Sequence, residues 1–337
     1  MKRTRSVFLA FFCLVFLSTV SVVFASGAND QGSTTAVKKM TVNVASTFPP
    51  DSPQDKGLKK FAELVNQRSN GRITVLVQAG SAMGDERQTF EMLSSGSVEY
   101  GAVGTNDIAT YFPRYAVAEV PYMFTNVDQF WKYWAGPGKE VSDMIEKQKG
   151  VRTVGVILRG ARYLTANKEI KTVADLKGLK IRLPPVKAWT AVWEHLGALP
   201  VTVAFGEVYM ALKTGAVEAQ ENPPETILNY KFYEAQKYLI ATKHIFSAAR
   251  IQVSMKWFNT LSKGDQDLFT KAMDEGVAYA NSLTKNGDEQ YVKQLEAKGM
   301  ILVNVNLKEF QDACAPAVEA FAKDNWDMAY FNKVSAI

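Results

Sequence analysis

Three arginines and one asparagine are the residues in this chain best placed to do chemistry. Arg159, Arg162 and Arg182 fall at the ends of predicted strands, and Asn222 stands just before Pro223-Pro224. A guanidinium offers five donors in a rigid plane and meets a carboxylate with two parallel hydrogen bonds, a geometry that lysine cannot reproduce. The two prolines hold the backbone at Asn222 extended, and its amide presents a donor and an acceptor together. Such a set suits recognition of an organic anion. Residue type and position alone do not choose among the three arginines, each of which also fits an ordinary surface charge.

Groups for covalent catalysis are scarce. The only histidines are His195 and His244, and the only cysteines are Cys13 and Cys314. The chain lacks GxSxG, Walker, HExxH and GxGxxG patterns. His195 sits in a helical run beside Trp193 and Leu196, and His244 follows a segment ending near Thr242, so both read as structural or capping residues. Cys314, within DACAPAVEAF, reads as a small buried hydrophobe. No intramolecular disulfide or cysteine-based zinc site is available to the mature chain. Nothing in the spacing of Glu207 or Glu221 supports a metal, and no cofactor is expected. The competing class is an exported lyase or hydrolase with Glu207, Glu221 or Asp107 as acid and base, but no partnered nucleophile accompanies them.

The elements that must position these side chains follow an α/β pattern. Of 337 residues, 47% are hydrophobic and 22% charged, which excludes wholesale disorder and a polytopic membrane protein. That length suits two lobes. Lys plus Arg is 39 and Asp plus Glu is 34. Lys2, Arg3 and Arg5 account for three of the five excess positive charges, so no basic surface for nucleic acid is expected. These three residues, the apolar run from Val7 to Leu17 and the small-residue site Val23-Phe24-Ala25 read as a signal peptide over residues 1–25, cleaved after Ala25. An uncleaved anchor is the other reading of the same run. Residues 26–37 (SGANDQGSTTAV) read as a disordered leader.

Downstream, strands alternate with helices. Lys39–Ala45 is a strand, Asp55–Ser69 a helix, Arg72–Gln78 a strand, Gly84–Ser94 a helix and Glu99–Val103 a strand. A second series follows: strand Val151–Leu158, a short helix at Val173–Leu176, strand Leu179–Leu183, helix Trp189–Leu196, strand Val201–Val203 and helix Val208–Thr214. Alternation of this kind builds largely parallel sheets, and open parallel sheets hold ligands beyond the carboxyl ends of their strands. From Asp267 to Lys298 no proline interrupts a helical pattern, so one long helix is expected to brace both lobes, or two with a break near Asn286-Gly287.

Several motifs carry a resemblance. Gly84-Asp-Glu-Arg87, Val120-Pro-Tyr-Met-Phe124, Gly160-Ala-Arg162, Asp175-Leu-Lys-Gly-Leu-Lys-Ile-Arg-Leu-Pro184, Leu196-Gly-Ala-Leu-Pro200, Phe205-Gly-Glu-Val-Tyr-Met-Ala-Leu212, Ala219-Gln-Glu-Asn-Pro223, Lys231-Phe-Tyr-Glu-Ala-Gln-Lys-Tyr238 and Thr242-Lys-His244 occur in one order across most of the chain. The chain resembles the solute-binding proteins of tripartite ATP-independent periplasmic (TRAP) transporters, the dicarboxylate-binding DctP family. The resemblance implies a two-lobed periplasmic α/β binding protein, not an enzyme, that closes on a carboxylate-bearing solute and delivers it to a membrane permease. It implies that Arg182 pairs with the ligand carboxylate, that Arg162 and Asn222 support it, and that Phe205 lines the cleft.

Thr47 and Phe48 after the first strand, Gln78 after the second, Glu86, Asn106, Asp107 and Glu221 are further expected ligand contacts. Asp107 and Thr105 also suit a helix N-cap. Trp189 is a wall of the cleft or ordinary core. Where sialic-acid binders of this family place a glutamate, this chain has Gly104. A sugar acid such as a uronate or aldonate is the first expected ligand, with a C4-dicarboxylate and an aromatic or keto acid as alternatives. A ligand-sensing adaptor is an alternative use of the same fold. Lobe I is expected over 38–159 plus 248–287 and lobe II over 160–247 plus 288–337, hinged near Leu158 and Ile245, the whole acting as a monomer.

Overall fold

The alternation in the first strand has its physical counterpart in a computed structural model that describes residues 39–284 and 287–337. Val42 and Val44 are fully buried in β1 (Met40–Ser46). The signal peptide, the leader and Asn286 lie outside the described residues. After β1 come α1 (Pro53–Arg68), β2 (Ile73–Gln78), α2 (Glu86–Ser95) and β3 (Tyr100–Val103). In α1 the Ser52 hydroxyl accepts from the Asp55 N–H and Pro53 occupies the first turn, where its missing N–H costs nothing. Leu58, Phe61, Leu64 and Val65 form its buried face. Asp85 and Gln88 make a reciprocal capping box that starts α2, and Gly96 at φ 80° ends it.

Three helices follow, α3 (Asn106–Tyr111), α4 (Val127–Ala135) and α5 (Pro137–Lys149), before the long strand β4 (Val151–Ala161). The next unit holds β5 (Tyr163–Ala166), β6 (Lys180–Leu183), α6 (Lys187–His195), β7 (Leu199–Thr202), α7 (Val208–Lys213), β8 (Ala219–Asn222), α8 (Pro224–Asn229) and β9 (Tyr238–Ile240). The predicted helix at Val173–Leu176 is a 3₁₀ turn. The chain then runs through β10 (Phe246–Ser254), α9 (Met255–Phe258), α10 (Lys263–Thr284), α11 (Gly287–Ala297), β11 (Ile301–Val303), α12 (Leu307–Asn325) and α13 (Met328–Ser335).

The strands form two sheets flanked by helices, in the orders β2-β1-β3-β10-β4 and β11-β9-β5-β8-β6-β7. β1 pairs in parallel with β2 and β3, and β6 with β7 and β8. The antiparallel pairings involve the strands that carry the chain between the sheets. β4 and β10 pair with each other in the first sheet, and β5 pairs with β8 and β9 in the second. At the crossover the Arg162 N–H donates to the Ile245 carbonyl at 2.8 Å. Gly160, just before it, has φ +97°, and a Cβ there would collide with the Asp288 carboxylate. Only glycine suits that position.

α10 and α11 tie the sheets together. Gly57 and Gly276 let α1 and α10 approach closely, since a Cβ at Gly57 would lie 2.7 Å from that of Ala280. The Asn281 amide accepts from the Leu158 N–H and donates to the Val156 carbonyl, both at 3.0 Å, fixing α10 to β4. α11 packs on α8 beside the second sheet. The C-terminal helices bridge back toward the first half of the chain. α13 returns to α5, where the Tyr330 hydroxyl donates to the Pro137 carbonyl at 3.1 Å. Among the described residues no helix is long and apolar enough to cross a membrane.

Candidate ligand-binding site

Strand ends and the loops after them converge on a cleft of about 590 Å³ between the two sheets, within the usual range for small-molecule sites. The first sheet contributes Thr47 and Phe48 after β1 and the loop after β3. Arg182 comes from β6, and the Pro184-Pro185 turn behind it leads to Trp189 in α6. Asn222 ends β8, and Phe205 and Tyr230 complete the apolar side. Phe205 and Tyr230 meet edge to face with ring centres 4.6 Å apart.

Arg182 is 3% exposed. Its Nε and Nη2 donate to the Val203 carbonyl at 3.0 and 2.8 Å, and its guanidinium lies 5.7 Å from the centre of the Phe205 ring. These contacts hold the plane still, while Nη1 has no protein partner among the described residues. Burial pulls its pKa down to about 10, although Glu221 favours the charged form. It therefore stays cationic at neutral pH with no carboxylate of its own in contact. A buried cation in that condition is stabilised strongly by an incoming carboxylate.

Arg162 also lines the cleft, but its guanidinium is already committed. Nε and Nη2 grip the Glu221 carboxylate at 2.5 and 2.8 Å, and Nη2 also reaches the Glu221 carbonyl and the Asn222 amide oxygen. Glu221 is fully buried and accepts a third hydrogen bond from His244 Nε2 at 3.0 Å. Burial alone would raise the pKa of Glu221. Arg162 and His244 outweigh it and hold the group at about 2. Burial keeps the His244 pKa below its ordinary value despite Glu221. The ring is therefore neutral at pH 7, with Nε2–H donated to the carboxylate and Nδ1 accepting from the Thr242 hydroxyl at 2.8 Å. His244, read from the sequence as structural, is structural in this specific sense.

Of the expected contacts, Thr47, Phe48, Glu86, Asn106, Arg162, Arg182, Trp189, Phe205 and Asn222 line the cleft together. Three do not. Gln78 ends β2 outside the lining. Asp107 is buried at the start of α3, where its two oxygens lie 2.6 and 2.7 Å from Arg250 Nη1, which donates to both, and Gln252 donates to it at 2.9 Å. Its charge is neutralised 143 residues away in sequence, so it serves the core. Its neighbour Thr105, which does line the cleft, stands at the N-cap of α3, yet its hydroxyl bonds Glu119 at 2.6 Å instead of capping. Glu221 is turned away from the ligand space by its grip on Arg162.

Gly104 and Glu86 explain each other. The Gly104 N–H donates to Glu86 Oε1 at 2.8 Å, and a Cβ at 104 would sit 2.7 Å from that oxygen. A carboxylate thus reaches this wall from α2 in place of a side chain at 104. Burial raises the Glu86 pKa, and its Oε2 has no partner. Trp189 acts as wall and core at once. It lies 4% exposed beneath the Arg162 guanidinium, 5.0 Å from ring centre to charge, and its indole N–H donates to the Glu119 carbonyl.

Sequence reasoning missed Glu119, Tyr230 and Thr226 as wall residues and did not commit to Arg159. Glu119 was the most visible of these, as a lone carboxylate in the apolar run Ala116-Val-Ala-Glu119-Val-Pro121. Its oxygens accept from Thr105 and from the Ala248 N–H.

The family model for bacterial extracellular solute-binding protein, family 7 (DctP), matches residues 44–324. The chain belongs to that family. A solute-binding protein of Verminephrobacter eiseniae is 30% identical over 292 residues, 86% of this chain and 87% of its own. The sugar-acid-binding protein of Advenella mimigardefordensis in complex with galactonate superposes with a TM-score of 0.84 at 29% identity, covering 89% of this chain and 97% of the other. A TRAP periplasmic solute-binding protein from Roseobacter denitrificans with bound L-galactonate gives 0.81 at 29% identity, covering 89% and 98%. Two sheets flanked by helices are thus a fold that this DctP-family chain shares with TRAP periplasmic solute-binding proteins. Among its described residues no cluster of His, Cys, Asp and Glu is arranged to hold a metal ion.

Proposed function

We propose that this chain is the periplasmic substrate-binding protein of a TRAP transporter and that it captures a sugar acid, a uronate or an aldonate. The observation that carries the reading is Arg182, a buried guanidinium on the cleft wall with Nη1 free and no carboxylate of its own. The ligand carboxylate pairs with Arg182. Its hydroxyls meet the polar groups of the walls, among them Thr47, Glu86, Asn106 and Asn222, while Phe205 and Trp189 cover its apolar faces. Relatives that hold galactonate support this choice of ligand class.

Residues 1–25 direct export and are removed, which leaves 26–37 as a polar leader ahead of the folded part. The lobes are 38–159 with 248–287 and 160–247 with 288–337, apart from α13. They hinge where the chain crosses at Gly160–Arg162 and Ile245, and the ligand, by touching both, shifts the population toward the closed form. The closed form is the state that the membrane permease engages, and the solute leaves chemically unchanged.

Titration calorimetry with galactonate and with the corresponding polyol tests the reading. The acid is expected to bind at least 100-fold more tightly, since a charge-assisted bidentate pair is lost with the carboxylate. Equal affinities would refute it.

A further inference from the structure

Arg159 carries a role that the paired arginines do not. It projects from β4 in the first sheet, whereas Arg182 projects from β6 in the second, and both line the same cleft. Its guanidinium stacks 5.0 Å from the centre of the Phe48 ring, which fixes its plane. Among the described residues its one hydrogen bond is from Nη2 to the Thr226 hydroxyl at 3.0 Å. Nε is buried and has no partner.

Three carboxylates lie near enough to influence Arg159, but none forms an ion pair with it. Glu119 spends its oxygens on Thr105 and the Ala248 N–H, and Glu225 spends its own on Thr226 and Asn229. Glu86 gives one oxygen to the Gly104 N–H. A guanidinium with most of its donors unused, facing a cavity, calls for an oxygen-rich anionic group from outside the chain. Arg162 is excluded from that task because Glu221 already occupies its fork.

We infer that Arg159 is a second anion-binding group, so that the preferred solute is a sugar acid oxidised at both ends, a polyhydroxylated dicarboxylate with one carboxylate on Arg182 and the other on Arg159. This rests on the reading of Arg182 given above. Hydroxyls between the two ends face Glu86, whose free Oε2 accepts from them.

Calorimetry with the six-carbon aldonate and aldarate of galacto configuration, and with the polyol, tests the assignment. The wild-type protein is expected to bind the aldarate at least tenfold more tightly than the aldonate. Arg159→Gln should lose at least 30-fold in aldarate affinity and much less in aldonate affinity, which erases the preference. Arg159→Lys, which keeps the charge without the fork, should fall between. A wild-type protein that binds aldonate as well as or better than aldarate overturns the inference and leaves capture by Arg182 standing. So does an equal loss of both ligands in Arg159→Gln, the result expected if Arg159 serves only as counterion to the three glutamates. If neither acid binds better than the polyol, both readings fall.

Discussion

Exchanging Glu221 for glutamine removes one charge from the interior at almost constant volume. The carboxylate is fully buried and receives Arg162 Nε and Nη2 and His244 Nε2. Glutamine keeps one acceptor and turns an amide donor toward donors, leaving the Arg162 charge without its counterion. Breaking a buried pair in this way costs about 3–5 kcal/mol. The titration gives a second route to the magnitude. A native pKa of about 2 against an ordinary 4.5 corresponds to about 3 kcal/mol of stability at pH 7.

The native state holds this proton less tightly than the unfolded chain does. The stabilisation is therefore complete above the unfolded pKa and is lost as pH falls through the native one. It drops to about 1.4 kcal/mol at pH 3. Urea denaturation of both proteins at pH 7 and pH 3, with the slopes compared, measures the difference directly. The expected result is about 3 kcal/mol at neutral pH, shrinking by half or more at pH 3. A gap below about 1 kcal/mol at pH 7, or one that does not change with pH, would refute the view of Arg162 as a cation neutralised inside the protein.

Two further substitutions probe other parts of the account. Gly104→Ala places a Cβ 2.7 Å from Glu86 Oε1, so Glu86 must swing away; sugar-acid affinity by calorimetry should fall about tenfold or more, the worth of a hydrogen bond to a charged group, with little change in melting temperature. Asp288 accepts from the Ala161 N–H at 3.0 Å beside the crossover, and burial raises its pKa from 3.8 to about 6. The native state holds that proton more tightly than the unfolded chain, so its contribution to stability falls as pH rises from about 4 to 6. Asp288→Asn should remove that slope, gaining up to about 3 kcal/mol on wild type between pH 3.5 and 7 in urea titrations.

Local signals made the first βαβαβ unit readable. Val42 and Val44 alternate, the buried face of α1 repeats at helical spacing, and capping residues and glycines mark the ends. β10 gave no such signal, although it lies between β3 and β4 in its sheet. It buries Arg250 and Gln252 against Asp107, so neither alternation nor an apolar run marks it. For the same reason Asp107 looked like a ligand contact: its partner is close only after folding. Arg182 was legible through its motif and its place at the end of a strand. The difference between Arg159 and Arg162 was not, because it depends on which of them Glu221 reaches. The packing of the terminal helix was not legible because Tyr330 reaches Tyr133 of α4 and the Pro137 carbonyl of α5, 197 and 193 residues away in sequence.

The guanidinium at position 182 is the centre of the account, and calorimetry of Arg182→Lys with galactonate tests it most directly. Lysine keeps the charge but cannot form two parallel hydrogen bonds to a carboxylate while also holding the Val203 carbonyl. The expected result is a loss of affinity of about 100-fold or more, roughly 2.7 kcal/mol, in a protein whose melting temperature without ligand is close to that of wild type. Affinity within threefold of wild type would contradict the claim that Arg182 captures the solute.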